Sequence, residues 1–266
     1  MKHLIARALI WSLAFGATAL SAHVDSGTDP VELERTYQGA LVYVPDAEEG
    51  ARQIDIAELP AILAASQQPR LVVYLHGCSG IIEIAHAAGL MYGEAGYVFV
   101  APDSFARADK PVSCRPEIPE GGLHRAVLGW RQAEAAYAVT QLRDLPGMKD
   151  APMVLAGHSE GAVTTATFQG LPVDARVIEG WTCNAGWPEY IGLNAPQAQP
   201  VLSLVGRRDP WFRLPVLRGD CGEFMDDNDQ SVVFRKPDPL YDQHWLSRNP
   251  AVQDTILQFL DQALAK

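Results

Sequence analysis

Gly157-His158-Ser159-Glu160-Gly161 sets a hydroxyl between two glycines. The apolar run Pro152-Met153-Val154-Leu155-Ala156 leads into it, and Ala162 to Phe168, which can form a helix, follows it. A strand, then G-x-S-x-G, then a helix lifts a serine onto a sharp turn where its oxygen can attack a carbonyl. The glycines let the backbone double back beside Ser159. The helix that follows sets its positive end under the reacting centre. The pentapeptide alone also fits an ordinary surface turn. The elements around it, and the partners downstream, weigh against that reading.

A nucleophilic serine needs a base and an acid that orients the base. After a G-x-S-x-G elbow the expected chain order is Ser, acid, His. His244 is the one histidine after Ser159, just before the last predicted helix. Pro200 to Gly206 reads as a strand, and Arg207-Arg208-Asp209-Pro210 follows it, which makes Asp209 the preferred acid. A turn aspartate before proline is its structural alternative. Asp226, Asp227 and Asp229 are rivals in a polar, loop-like run; Asp242 is too close to His244 along the chain. Upstream, the strand Leu71 to His76 ends in His76-Gly77-Cys78-Ser79-Gly80. The loop after that strand supplies one backbone N–H to an oxyanion hole, and the residue after the nucleophile supplies the other. Those donors are the N–H groups of Cys78 and Glu160, whose side-chain types are therefore free. His76 reads as a prop beneath the loop.

The segments His76 to Gly80, Gly96 to Phe105 and Gly157 to Gly161 together resemble the dienelactone hydrolase branch of the α/β-hydrolases. The similarity runs from about Leu71 to the C-terminus. It implies an α/β-hydrolase fold: a mostly parallel, twisted sheet with helices on both faces. The namesake enzymes use a cysteine nucleophile, so Ser159 departs from them and their lactone specificity does not carry over. The chain is more similar to secreted, serine-dependent relatives. In this fold the strands Leu71–His76 and Tyr97–Ala101 are neighbours, as are Ala175–Trp181 and the strand ending at Gly206. Four cysteines allow three pairings. That neighbour relation selects Cys78–Cys114 and Cys183–Cys221, each tying two loops on the catalytic face. Four reduced, buried thiols are the alternative.

The frame around the site agrees. Lys2 and Arg7 flank the start of an apolar run from Ala8 to Leu20, which small residues close at Leu20-Ser21-Ala22. This reads as a secretory signal peptide over 1–22, with an N-terminal membrane anchor as the alternative. Residues 23–266 then suit one domain. Cleavage removes two bases and no acid, taking the net charge from −11 to −13. Such a surface repels nucleic acid and anionic membranes. Export, to the periplasm or beyond, also favours disulfides over free thiols. No C-x-x-C pair or other metal-ligand cluster is present, and the chemistry needs no cofactor.

Alternating elements complete the expectation. Gly39–Val44 is an early strand, and Ile54–Ala65 a short helix or amphipathic loop. Ile81–Ala95 is helical, Ser104–Gly122 irregular and charged, and Leu123–Leu145 a long amphipathic helix. Ser231–Phe234 is the last strand and Ala251–Ala265 the closing helix. Thr182 to Gln199 is too short for a large cap domain, so the site should be open. Phe105, Trp187, Trp211, Phe212 and Trp245 could line an acyl or aromatic pocket, or pack in the core and loops. Arg107, Arg115, Arg207, Arg208 and Arg213 could meet an anionic substrate, or be solvated charges. The expected activity is hydrolysis of a small-molecule carboxylic ester or lactone through Ser159, His244 and Asp209. A peptidase or amidase of the same fold, or a non-catalytic binding protein that kept it, are the alternatives.

Overall fold

A computed structural model describes residues 27–265. The expected signal peptide lies outside the described residues. Asp29 caps the first helix, α1 (Pro30–Gln38), by accepting from the Val31 N–H at 2.9 Å, with Pro30 at its first position. This is favourable chemistry at a helix start. Strands β1 (Leu41–Asp46) and β2 (Gly50–Ile54) form a hairpin. Asp55 and Glu58 then build a capping box ahead of α2 (Leu59–Ala65). β3 (Arg70–Leu75), α3 (Glu83–Glu94) and β4 (Tyr97–Ala101) follow. Next come α4 (Val127–Asp144), β5 (Met153–His158), α5 (Glu160–Thr167) and β6 (Ala175–Glu179). β7 (Val201–Gly206), β8 (Gln230–Phe234) and α6 (Pro250–Ala263) close the fold.

The eight strands lie in the order β2-β1-β4-β3-β5-β6-β7-β8. Strand β1 runs antiparallel to β2 and β4, and every pairing from β4 through β8 is parallel. Alternation within the strands splits the core into two layers. Val72 and Tyr74 of β3 face one side, with Tyr92 of α3 and Phe259 of α6. Leu71, Val73 and Leu75 face the other, with Leu63 of α2 and Val139 of α4. Strand β3 is followed by a crossover to β4 on one side and pairs with β5 on the other, so the chain reverses direction across the sheet there. The carboxyl ends at such a switch point are where open α/β sheets form their sites.

Three elements differ from the sequence expectation, the unforeseen helix α1 among them. The Gly50–Ile54 strand is an edge strand in which only Ala51 and Ile54 are buried, so it carries no apolar run to read. The long helix starts at Val127 because the Leu123 N–H is taken by the Ser113 carbonyl at 3.0 Å, which binds that stretch to the irregular loop. Between β6 and β7 there is only a short 3-10 turn, Pro188–Tyr190. Among the described residues no helix is long and apolar enough to cross a membrane.

The disulfides join Cys78 to Cys114 and Cys183 to Cys221, at sequence separations of 36 and 38. The first ties the loop after β3 to the loop after β4. The second ties the loop after β6 to the segment after β7. Each closes a chain loop long enough to add about 3–4 kcal/mol by restricting the unfolded state. Replacing Cys78 and Cys114 by serine should lower the melting temperature by roughly 10 °C, at about 2–4 °C per kcal/mol for a chain of this size. A calorimetric scan checks this; an unchanged melting temperature would show that the bridge contributes no stability.

Candidate active site

The turn at Ser159 is strained. Its φ is 58° and its ψ −118°, a left-handed backbone in a residue other than glycine. Strain of this kind persists only where the surroundings over-determine it. Two close approaches do so here. A Cβ on Gly161 would lie 1.8 Å from the Leu75 carbonyl oxygen, and one on Gly157 would lie 2.3 Å from the Gly161 oxygen. Both glycines are required by contact with backbone, which cannot move aside. The Ser159 N–H is tied to the Glu179 carbonyl at 2.9 Å, which fixes the elbow against β6.

Asp209, just after β7, and His244, in the loop before α6, meet beside the elbow. His244 Nδ1 lies 2.6 Å from Asp209 Oδ2, and Asp209 is buried. Asp209 Oδ1 accepts the Trp211 N–H at 2.9 Å, so both carboxylate oxygens are engaged. Gly180, at φ 71°, leaves room for the imidazole: a Cβ there would come within 3.2 Å of His244 Cε1. His244 Nε2 is buried and has no hydrogen-bond partner among the described residues. No hydrogen bond joins it to Ser159 Oγ; such bonds are often made only when substrate binds. Two of the rival acids hold backbone N–H groups instead. Asp226 accepts from the Asn228 N–H and Asp229 from the Val201 N–H. Asp242 is exposed and bonded to Gln243.

Gly77 lies against the elbow, with a Cβ there 3.4 Å from that of Ser159. Cys78 and Glu160 border the same cavity as Ser159. Glu160 is the first residue of α5, where an N–H has no acceptor within the helix, and no described turn takes the Cys78 N–H. The oxyanion loop rests on His76, which is buried. Ser104 N–H donates to His76 Nε2 at 3.2 Å, leaving the Nδ1 side against the Gly77 carbonyl at 2.7 Å. Burial, then the Arg131 charge, holds the His76 pKa well below the usual range, so the ring is neutral. His158 packs edge-on to His244 at 4.9 Å. Burial, with a contribution from His244, lowers its pKa to about 3, so its ring stays neutral.

Several residues with positioning roles were not singled out in the sequence. Arg131 and Glu134 are buried on the inner face of α4. Arg131 donates to the His76 carbonyl at 2.7 Å, and Glu134 takes the Arg107 Nε–H at 2.5 Å and the Ser104 hydroxyl. Their positions fall within the buried stripe of Val127, Ala135 and Leu142, and charges in such a stripe are a readable signal. Arg107 is thus a buried ion-pair partner that cannot meet an anionic substrate, and Arg115 pairs with Glu120 at the surface. Glu179, at the buried end of β6, accepts from Leu246 N–H at 2.7 Å, Ser247 N–H at 2.7 Å and Ser247 Oγ at 2.9 Å. Burial raises its pKa, against the lowering pull of those three hydrogen bonds and of His244.

Beside Ser159 lies a cavity of about 290 Å³. Trp187, Trp211 and Phe212 line it, together with Trp181 and Tyr190, which the sequence reading did not include. Phe105 and Trp245 do not. Phe105 lies against Gly80 and His76 in the layer beneath the loop, and Trp245 stands under the Arg248 guanidinium at 5.4 Å.

No family model matches the chain, and no curated protein is similar to it. Solved structures are. One is a dienelactone hydrolase from Anabaena variabilis, 17% identical, covering 74% of this chain and 88% of its own, with a TM-score of 0.52. The chain has the α/β-hydrolase fold. The Pyrococcus furiosus esterase Pf2001 is 17% identical over 74% of this chain and 84% of its own, TM-score 0.51. Est1E from Butyrivibrio proteoclasticus, solved with ferulic acid bound, is 14% identical over 85% of this chain and 95% of its own, TM-score 0.52.

Removing the Glu179 carboxylate strands two buried N–H groups and a hydroxyl, each costing about 1–3 kcal/mol when unsatisfied. Glu179→Ala should therefore destabilise the fold by at least about 2 kcal/mol in urea unfolding. Glu179→Gln, which keeps an accepting oxygen, should recover part of that loss. Equal stability of Glu179→Ala and the parent would refute the anchoring role.

Proposed function

We propose that this chain is an exported serine hydrolase that cleaves carboxylic esters through an acyl-enzyme on Ser159. The observation that carries the reading is the 2.6 Å contact of His244 Nδ1 with buried Asp209, set on the rim that bears a strained serine. An orienting carboxylate fixes the imidazole tautomer with Nε2 free to take a proton, and stabilises the cation that forms. His244 removes the Ser159 proton as the oxygen adds to the ester carbonyl. The N–H groups of Cys78 and Glu160 hold the oxyanion. His244 returns the proton to the departing alcohol. Water, deprotonated by His244, then attacks the acyl-enzyme and releases the acid and Ser159.

Structures of the same fold that are named as esterases, and one named as a dienelactone hydrolase, support ester over amide cleavage. The aromatic walls of the cavity suit a flat or aromatic acyl group, which the ferulic acid bound to Est1E parallels. Two disulfides on the catalytic face, with the basic and apolar N-terminal segment of the sequence, support export.

Ser159→Ala should reduce ester turnover to the background of the remaining site, about 10³–10⁴-fold above water in triad enzymes, with the fold intact by circular dichroism. Asp209→Asn should lower kcat by about 10⁴, through the wrong His244 tautomer. A panel of matched aryl esters and anilides on the purified chain measures both. Faster turnover of anilides would favour an amidase. Near-normal kcat in Asp209→Asn would remove the proposed triad.

A further inference from the structure

Sixteen arginines and five lysines stand against thirty-two acids in this chain. Most described arginines outside one region are spent on a carboxylate. Arg35, Arg52, Arg70, Arg107, Arg115, Arg125, Arg131 and Arg143 all form ion pairs. Arg176, Arg235 and Arg248 form no ion pair among the described residues, and a group of further such cations surrounds a pocket of about 510 Å³ at the loop that follows β7. Arg207, Arg208, Arg213, Arg218 and Lys236 line it, and none of the five makes an ion pair among the described residues. Two carboxylates also border it. Asp209 is committed to His244 and the Trp211 N–H, and Asp242 accepts from Gln243.

Five like charges gathered in a concave site repel one another, in a chain with acids in excess that could have paired them. The walls that hold them are fixed by backbone. Arg207 N–H bonds the Phe234 carbonyl at 2.9 Å and Arg208 N–H the Tyr241 carbonyl at 2.8 Å. Arg218 is braced by two donations to the Arg213 carbonyl, at 3.1 and 2.8 Å, and Lys236 sits 5.3 Å from the Tyr241 ring centre. A guanidinium presents a planar fork of donors that suits the oxygens of an oxyanion. The pocket is also adjacent to the chemistry. Phe212 lines both this pocket and the aromatic cavity beside Ser159, so the two share a wall.

We infer that this pocket binds an oxyanion of the phosphate or sulfate class. The anion is either free in solution or carried on the part of a substrate that reaches past Phe212. Recognition is by charge-assisted hydrogen bonds from Arg207, Arg208 and Arg213, and the interaction weakens as salt screens it.

The test measures binding of inorganic phosphate to the full chain by calorimetry, with chloride at matched ionic strength as the control. Phosphate should bind, and Arg207→Gln/Arg208→Gln/Arg213→Gln should weaken it by about tenfold or more. Arg213→Gln alone, at an exposed position, should weaken it measurably and guards against a triple variant that fails to fold. Ser159→Ala should bind phosphate like the parent, so this inference and the proposed ester chemistry fail separately. A second arm compares kcat/KM for esters with the same acyl group whose leaving alcohol is neutral or bears a sulfate. If the sulfated ester is preferred, and phosphate competes with it more than with the neutral one, the anion is the substrate's own. If phosphate binds and no preference is seen, the anion is a free ligand. Phosphate heats no different from chloride, or binding unchanged in the arginine variants, would overturn the inference.

Discussion

The carboxylate of Glu179 holds the backbone of Leu246 and Ser247, while the carbonyl of the same residue takes the N–H of Ser159. One buried residue at the end of β6 therefore fixes both the strained elbow and the loop that carries His244. Ser159 follows β5, Asp209 follows β7 and His244 lies in the loop before α6. These lie far apart in the chain, and only the parallel register of β5, β6 and β7 brings their ends together. A carboxylate buried at that junction would be costly on its own. Three hydrogen bonds offset the cost and turn it into a constraint on geometry.

Beneath this lies a second constraint of close contact. Gly161 meets the Leu75 carbonyl with no space for a side chain, which sets α5 directly against β3. The same contact brings the β3 loop, with Gly77 and Cys78, beside Ser159. That loop and Ser159 are thus placed by one packing event. The neutral His76 and the Arg131–Glu134 pair support that loop from the side opposite the cavity. The bridge to Cys114 holds it from above.

The strained turn at Ser159 and the contact of His244 with Asp209 were legible because each residue follows or precedes a recognisable element. The strands β3, β4, β5 and β7 were legible as largely apolar runs, as buried parallel strands should be, whereas β6 carries Arg176 and Glu179. Strand β2 was not, since an edge strand with two buried residues leaves no pattern. Helix α1 was overlooked although Asp29-Pro30 is a readable start signal. The arginines show the limit most clearly. Arg107 and Arg207 read alike in the sequence, yet one is buried on Glu134 and the other is exposed in a pocket of unpaired cations. Which acid, if any, reaches an arginine is decided by tertiary contacts. The same holds for Phe105 and Trp245, aromatic residues near the site in sequence that pack away from its cavity.

The central claim is that Ser159 is a nucleophile activated by the His244–Asp209 pair. Covalent labelling with a fluorophosphonate, followed by peptide mass mapping, tests it without any choice of substrate. The account predicts one adduct per chain, located on Ser159 and lost when His244 is replaced by alanine. An unlabelled chain, or an adduct on another residue, would contradict it.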